Sequence, residues 1–198
     1  QPCPHGVSLR FVYDYNMEYA NAFPAKVDCV TLYVFDSEGN YVTTYTETGE
    51  VLQNEGYRMQ LDLKKGDYRF VAYGGLACEE HSFALLDEPQ AGTQWSALSV
   101  EMLHDNFSSD IKLHDFYYGT EEGTVTANTY EDVTVRLMKN TNNIRVVLQQ
   151  VNGQALSNED FIFTLTDDNT LFNHQNQLVE NGIITYAPWS QGCQTVGD

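Results

Sequence analysis

The chain has 198 residues and a mass of 22.4 kDa, enough for one large domain or two of about 100 residues each. Hydrophobic residues make up 42% of it and aromatics 13%, which excludes intrinsic disorder, and no apolar run approaches the ~20 residues of a membrane-spanning helix. Ten Lys and Arg against 28 Asp and Glu leave a net charge of −18, a field that repels nucleic-acid phosphates and anionic lipid headgroups.

Read in chain order, the pattern is β almost throughout. Val7, Leu9, Phe11, Tyr13 and Tyr15 alternate with Ser8, Arg10 and Asp14, the period of a half-buried strand. Asn16–Ala22 holds at most a turn or two of helix. Val30, Leu32 and Val34 alternate with Thr31 and Tyr33, between Cys29 and Phe35. Asp36-Ser37-Glu38-Gly39-Asn40 is turn chemistry, and Tyr41 to Thr46 restarts a strand. Tyr57, Met59, Leu61 and Leu63 alternate again. Lys64-Lys65-Gly66-Asp67 then predicts a hairpin turn into Tyr68–Tyr73, which ends at a bulge at Gly74-Gly75. Glu79–Leu86 is a second short helical candidate. Further strands are expected at Ser96–Leu103, Ile111–Tyr118 and Thr124–Asn128.

Glu, Gly, Thr and Asn cluster over Gly119–Tyr130, where a domain boundary is expected. Four more strands follow: Val133–Met138, Asn143–Val151, Phe161–Asp167 and Gly182–Tyr186. Short strands split by Gly and Asn/Asp turns predict an all-β fold of one or two antiparallel β-sandwiches, divided, if two, into 1–128 and 129–198. The second, of only about 70 residues, is short for seven strands. It is expected to be partial: residues from about 131 onward are either completed by strands of a neighbouring molecule or unusually mobile.

The four cysteines are Cys3, Cys29, Cys78 and Cys193, and no two have the CxxC spacing of a zinc site. An even number in an acidic chain fits an oxidising compartment, and three pairings are open. Cys29 opens one apolar strand pattern and Cys78 closes another, so Cys29–Cys78 is favoured if those strands lie antiparallel side by side, with free buried thiols as the alternative. Such a bridge would close about 50 residues, worth about 4 kcal/mol of unfolded-chain entropy. Cys3 and Cys193 are the remaining pair. Cys3 lacks the surroundings of a lipid-bearing cysteine, and with no Met, basic segment or apolar segment before it any export or lipidation signal is expected to have been removed.

The chemistry-bearing residues do not assemble into a recognisable catalytic motif. His104, Asp105, Asp110, His114 and Asp115 are the densest group of potential metal ligands, but a site needs three or four to converge on one ion. Asp167-Asp168-Asn169 and Asn158-Glu159-Asp160 lack the Gly and Glu positions of a calcium loop and read as Asx turns. Ser82 stands beside His81 without the flanking glycines of a nucleophile elbow. Asn106-Phe107-Ser108 matches a glycosylation sequon. Trp95, Trp189, Tyr117, Tyr118 and Tyr186 would form a sugar-binding platform if exposed together, although strand aromatics are more often core. No catalytic residue, metal site or cofactor is assigned, and an enzyme is not expected.

One set of segments is more specific than generic β sequence. Leu9-Arg10-Phe11-Val12-Tyr13-Asp14-Tyr15-Asn16-Met17, Asn21-Ala22-Phe23 and Val27-Asp28-Cys29-Val30-Thr31-Leu32-Tyr33-Val34-Phe35-Asp36 occur in that order. Tyr57-Arg58-Met59, Gly66-Asp67-Tyr68 and Phe70-Val71-Ala72-Tyr73-Gly74-Gly75-Leu76 follow. Leu113-His114-Asp115-Phe116-Tyr117-Tyr118-Gly119 and Leu137-Met138-Lys139-Asn140-Thr141-Asn142 continue the series. Together they resemble the fimbrial anchor family of Bacteroidales, the fimbrillin-associated lipoproteins at the base of surface fimbriae. The resemblance implies tandem transthyretin-like, Greek-key β-sandwiches, the second incomplete here, and a non-enzymatic structural protein of the cell surface. It further implies a tether to the outer membrane through an N-terminal lipid not present in this chain, fimbrial subunits as partners gripped at sheet edges, and control of fimbria length. The rival expectation, from the same group of fimbrillin-like proteins, is a surface adhesin or glycan-binding lipoprotein using exposed aromatics.

Overall fold

The computed structural model of the chain describes residues 5–15, 20–126 and 129–193. In chain order its first elements are β1 (Gly6–Val12), α1 (Phe23–Lys26), β2 (Cys29–Asp36), β3 (Tyr41–Thr48), β4 (Met59–Asp62) and β5 (Gly66–Gly74). Then come β6 (Phe83–Leu85), β7 (Val100–Met102), β8 (Ser108–Ser109), β9 (Tyr117–Val125), β10 (Tyr130–Arg136) and β11 (Met138–Lys139). The last are β12 (Leu165–Asp167), β13 (Leu171–Phe172), β14 (Leu178–Val179) and β15 (Ile184–Tyr186). The fold is all-β, as the alternation predicts.

The architecture is layered around one central sheet, ordered β11-β9-β5-β2-β3. A three-stranded sheet, β10-β1-β4, covers one face, with β1 parallel to β10 and antiparallel to β4. Val7, Leu9 and Phe11 of β1, Met59 and Leu61 of β4 and Val133 and Val135 of β10 meet Val30, Leu32, Val34, Phe70 and Ala72 of the central sheet. The other face carries Tyr33, Phe35, Val71, Tyr73, Phe116 and Tyr118, which pack against Phe83, Leu98, Val100, Met102 and Ile184. Two small sheets supply that second layer, β14-β13-β7-β6 and β12-β15-β8.

This arrangement corrects several expectations. The alternation in β2 predicts one buried face, yet residues 29–35 are all buried, because the aromatic face of the strand has its own cover. The Lys64–Asp67 turn does not make a hairpin: β4 pairs with β1 in one sheet and β5 with β2 and β9 in another, so the chain changes layers there. Strand pairing also crosses the expected boundary at 128/129. Strand β10 lies in the first sandwich beside β1, and β7 and β8, from the first half, pair with β13 and β15 from the second. Glu79–Leu86 contains strand β6 rather than a helix. The helical candidate at Asn16–Ala22 lies partly outside the described residues, and the short helix that follows it, α1, starts at Phe23.

The most informative difference lies after β11. Asn143–Val151 has a strand's alternation but is assigned no strand pairing, and Phe161–Asp167 pairs only from Leu165 onward. Ile144, Val146, Val147, Leu148, Val151 and Ile162 are all exposed. A strand needs a neighbour for its backbone groups and a cover for its apolar side, and this stretch has neither among the described residues.

Candidate functional site

Cys29 opens β2, and Cys78 lies four residues beyond the end of β5, the antiparallel neighbour of β2. The pairing of Val30 with Gly74 brings the two cysteines together, and they are joined by a disulfide with Cα atoms 5.3 Å apart. Asp28 Oδ1 lies 3.0 Å from Cys78 Sγ and 3.2 Å from His114 Nε2. Asp28, Cys29 and Cys78 are close enough to be a metal cluster, but both sulfurs are committed to the disulfide and neither is a thiolate. Cys193 is free and exposed, and Cys3 lies outside the described residues.

The other candidate ligands are dispersed. His104 Nε2 sits 3.4 Å from Glu101, its Nδ1 accepts the Phe107 N–H at 3.1 Å, and its ring lies tilted against that of Phe107, centres 4.3 Å apart. His114 is held by Asp28 instead, and Asp115 accepts from Thr141 and pairs with Lys139 at 3.3 Å. The Asp167–Asn169 segment joins β12 to β13, and Asp167 Oδ1 accepts the neighbouring Asp168 N–H at 2.9 Å. Asp168 Oδ1 accepts the backbone N–H groups of Asn181 and Gly182, and Asn169 Oδ1 accepts the Tyr186 hydroxyl at 2.6 Å. Ser82 is buried and its Oγ accepts the His114 N–H, a structural bond.

The five aromatics proposed as a platform do not share a surface. Tyr117 and Tyr118 are buried on opposite faces of the central sheet, and Tyr186 is half-buried. Trp95 is sandwiched, with the Arg69 guanidinium 4.0 Å from its ring centre and His174 edge-on at 4.7 Å. Only Trp189 projects outward, 54% exposed, with the Lys112 ammonium 5.4 Å from its ring. Burial shifts the phenols strongly. Desolvation pushes Tyr33 up, helped by the charge of Glu88, whose carboxylate accepts its hydroxyl at 3.0 Å, and desolvation alone does most of the same at Tyr73 and Tyr117. Tyr57 is pushed up to about 12, by burial first and the Glu47 charge second. These tyrosines are core, so their shifts belong to stability.

The features with open bonding capacity are the sheet edges. On one side, β9 and β10 approach across the two layers. A Cβ at Gly119 would lie 2.4 Å from the Arg136 carbonyl oxygen, so the absent side chain is what lets the backbones come together. The cleft between them is lined by Glu121, Glu122, Glu131 and Asp132. On the other side the edges are β4, only four residues long, and β3, which is eight. The turn into β3 is well made: Asp36 Oδ1 accepts the Asn40 and Glu38 N–H groups at 2.9 and 3.0 Å, and these bonds, Asn40 first, hold its carboxyl below the usual range. The β3 edge is invisible in a sequence because strand order is set by pairing between distant segments. Its one signal is composition, an uncharged Thr/Tyr run from Tyr41 to Thr46.

Comparison with known proteins gives the family and the fold. The sequence profile of the fimbrillin-A associated anchor proteins Mfa1 and Mfa2 matches residues 1–198. A candidate adhesin from Bacteroides thetaiotaomicron is 55% identical and superposes with a TM-score of 0.91, over 97% of this chain and 64% of that one. A candidate polysaccharide-binding protein from the same organism is 27% identical with a TM-score of 0.87, over 94% of this chain and 66% of that one. The fimbrial anchor protein Mfa2 of Porphyromonas gingivalis, 18% identical with a TM-score of 0.69 over 93% of this chain and 66% of that one, shares the fold. The chain thus spans about two thirds of the length of these solved proteins, and no curated protein sequence matches it. With the family profile matched from the first residue to the last, the chain belongs to the fimbrillin-A associated anchor protein family, a family of fimbria-associated surface proteins.

Proposed function

We propose that this protein tethers the base of a surface fimbria to the outer membrane, through a lipid outside this chain, and limits fimbria length by occupying the terminal subunit. The observation that carries this reading is the family match over all 198 residues. The geometry supports it: the chemistry-bearing side chains are spent on turns, a disulfide and core bonds, while long sheet edges are available to hold another β protein. The role is mechanical, non-enzymatic and free of any cofactor. Deletion of the gene, followed by electron microscopy of cells and culture medium, tests it. Long fimbriae shed into the medium are expected, and fimbriae unchanged in length and attachment would overturn the reading.

A second reading has one observation in its favour. The 27%-identical relative is named for polysaccharide binding, and Trp189 with Lys112 offers an exposed aromatic beside a cation. A glycan array probed with the wild type and with Trp189→Ala decides this reading: glycan binding lost in the variant would make it the leading one.

A further inference from the structure

We propose that the outer edge of β3, residues 42–47, is the line along which a fimbrial subunit docks. The occupant is an extended segment with an uncharged, β-branched or aromatic centre and Lys or Arg at its ends. This rests on the fimbrial reading above and specifies the surface and the partner's chemistry.

Among the edges of the two sheets of the first sandwich, the choice follows from what closes the others. Natural sheets protect an exposed edge with charge, proline, brevity or a covering segment. The β9/β10 side uses two of these devices: the strands close on each other at Gly119, and Glu121, Glu122, Glu131 and Asp132 load the cleft with like charge. Strand β4 is protected by being four residues long. Strand β3 is protected at its ends and by a bulge at Val42, next to the first of them. Its first residue is tied down, the Tyr41 N–H donating to the Thr93 carbonyl at 2.8 Å, and at its last the Thr48 N–H is taken by Glu47 Oε1 at 3.1 Å. Between them, Val42, Thr43, Thr44, Tyr45 and Thr46 carry no charge and include no Gly or Pro. Among the described residues, their outer backbone groups meet no other strand.

The strand is also rigidly presented. It pairs with β2 from Cys29↔Thr48 through Phe35↔Tyr41, and Tyr41 and Tyr45 anchor it to opposite layers of the core. From Thr43 to Thr46 the edge is in regular register, neutral and held from behind, a template for one more strand. Its flanks set the polarity of the guest. Glu38 stands in the turn before β3, and Glu47 and Glu50 stand at its far end, in a chain of net charge −18. A second copy of this chain would bring the same acidic flanks and the same net charge, so the complementary guest is neutral in the middle and basic at its ends.

The test uses fimbriae sheared from the producing bacterium as the probe, pelleted with purified protein. Wild type, Thr44→Pro and a Glu121→Gln/Glu122→Gln control are compared, with the fold of each checked by circular dichroism. Amide exchange of residues 42–47 in wild type, free and fimbria-bound, supplies a reading that needs no variant. The expected result is that wild type and control pellet equally, Thr44→Pro binds about tenfold more weakly, and the amides of 42–47 gain protection on binding. If wild type pellets but those amides gain no protection, the β3 edge is wrong and the fimbrial reading stands. A wild type that does not pellet overturns both.

Discussion

At Gly75 the backbone takes φ +95°, and a Cβ there would sit 2.1 Å from the Asp115 carbonyl oxygen. Both facts exclude a side chain: the left-handed conformation disfavours one, and the contact is with backbone, which cannot swing aside. The residue comes directly after β5 as the chain leaves for Cys78, and its N–H donates to the Cys29 carbonyl at 3.3 Å. Gly75→Ala is therefore expected to lower unfolding stability by roughly 3 kcal/mol, read as a lower urea midpoint with an unchanged slope. A midpoint within about 0.5 kcal/mol of wild type would mean that this corner relaxes freely. The glycine pair is legible in the sequence as a strand end. The reason it must be glycine is not, since Asp115 lies forty residues away.

At the scale of elements, contrast β2 with residues 143–151. Both read as alternating strands, and only one has partners. Strand β2 is flanked by β3 and β5 and covered on both faces, so Leu32→Ala should cost about 3 kcal/mol from lost burial and an unfilled cavity. Ile144 is 71% exposed, and Ile144→Ala should change stability by less than about 0.5 kcal/mol. Chemical denaturation of the two variants checks both values. A large loss at Ile144 would show that its segment is packed in the protein in solution. The alternation that marks a strand is a local property, and burial is conferred by whatever the strand meets, so sequence ranks these two segments together while structure separates them.

For the whole molecule, buried phenols give stability a dependence on alkaline pH. Tyr33, Tyr73 and Tyr117 have folded pKa values raised well above the ordinary value of 10, mainly by burial. A raised pKa means that the folded protein keeps protons which the unfolded chain gives up. The contribution is therefore fully present below about pH 10 and is lost as pH rises toward the folded values. Urea unfolding should show stability insensitive to tyrosine ionisation up to about pH 9. Above pH 10 it should fall by roughly 1.4 kcal/mol per pH unit for each tyrosine held neutral. Tyr33→Phe should make that fall shallower, because a phenylalanine has no proton to lose. An identical slope in the variant would place Tyr33 in contact with solvent.

By itself the sequence determined the all-β class, the positions of the main strands up to Tyr73, and the family, through ordered segments such as Leu9–Met17 and Val27–Asp36. These are local: a two-residue period, a turn composition and a run of residues can be read where they stand. Tertiary structure decided the rest. It gave β2 two buried faces, sent β4 and β5 into different layers, and drew β10 back beside β1 across the expected boundary. It also left β3 at an open edge and, of the five aromatics expected to form a platform, exposed Trp189 without the others. Each outcome depends on which distant segment comes to lie alongside, and a strand's own residues specify the face it can bury but not the neighbour that will cover it.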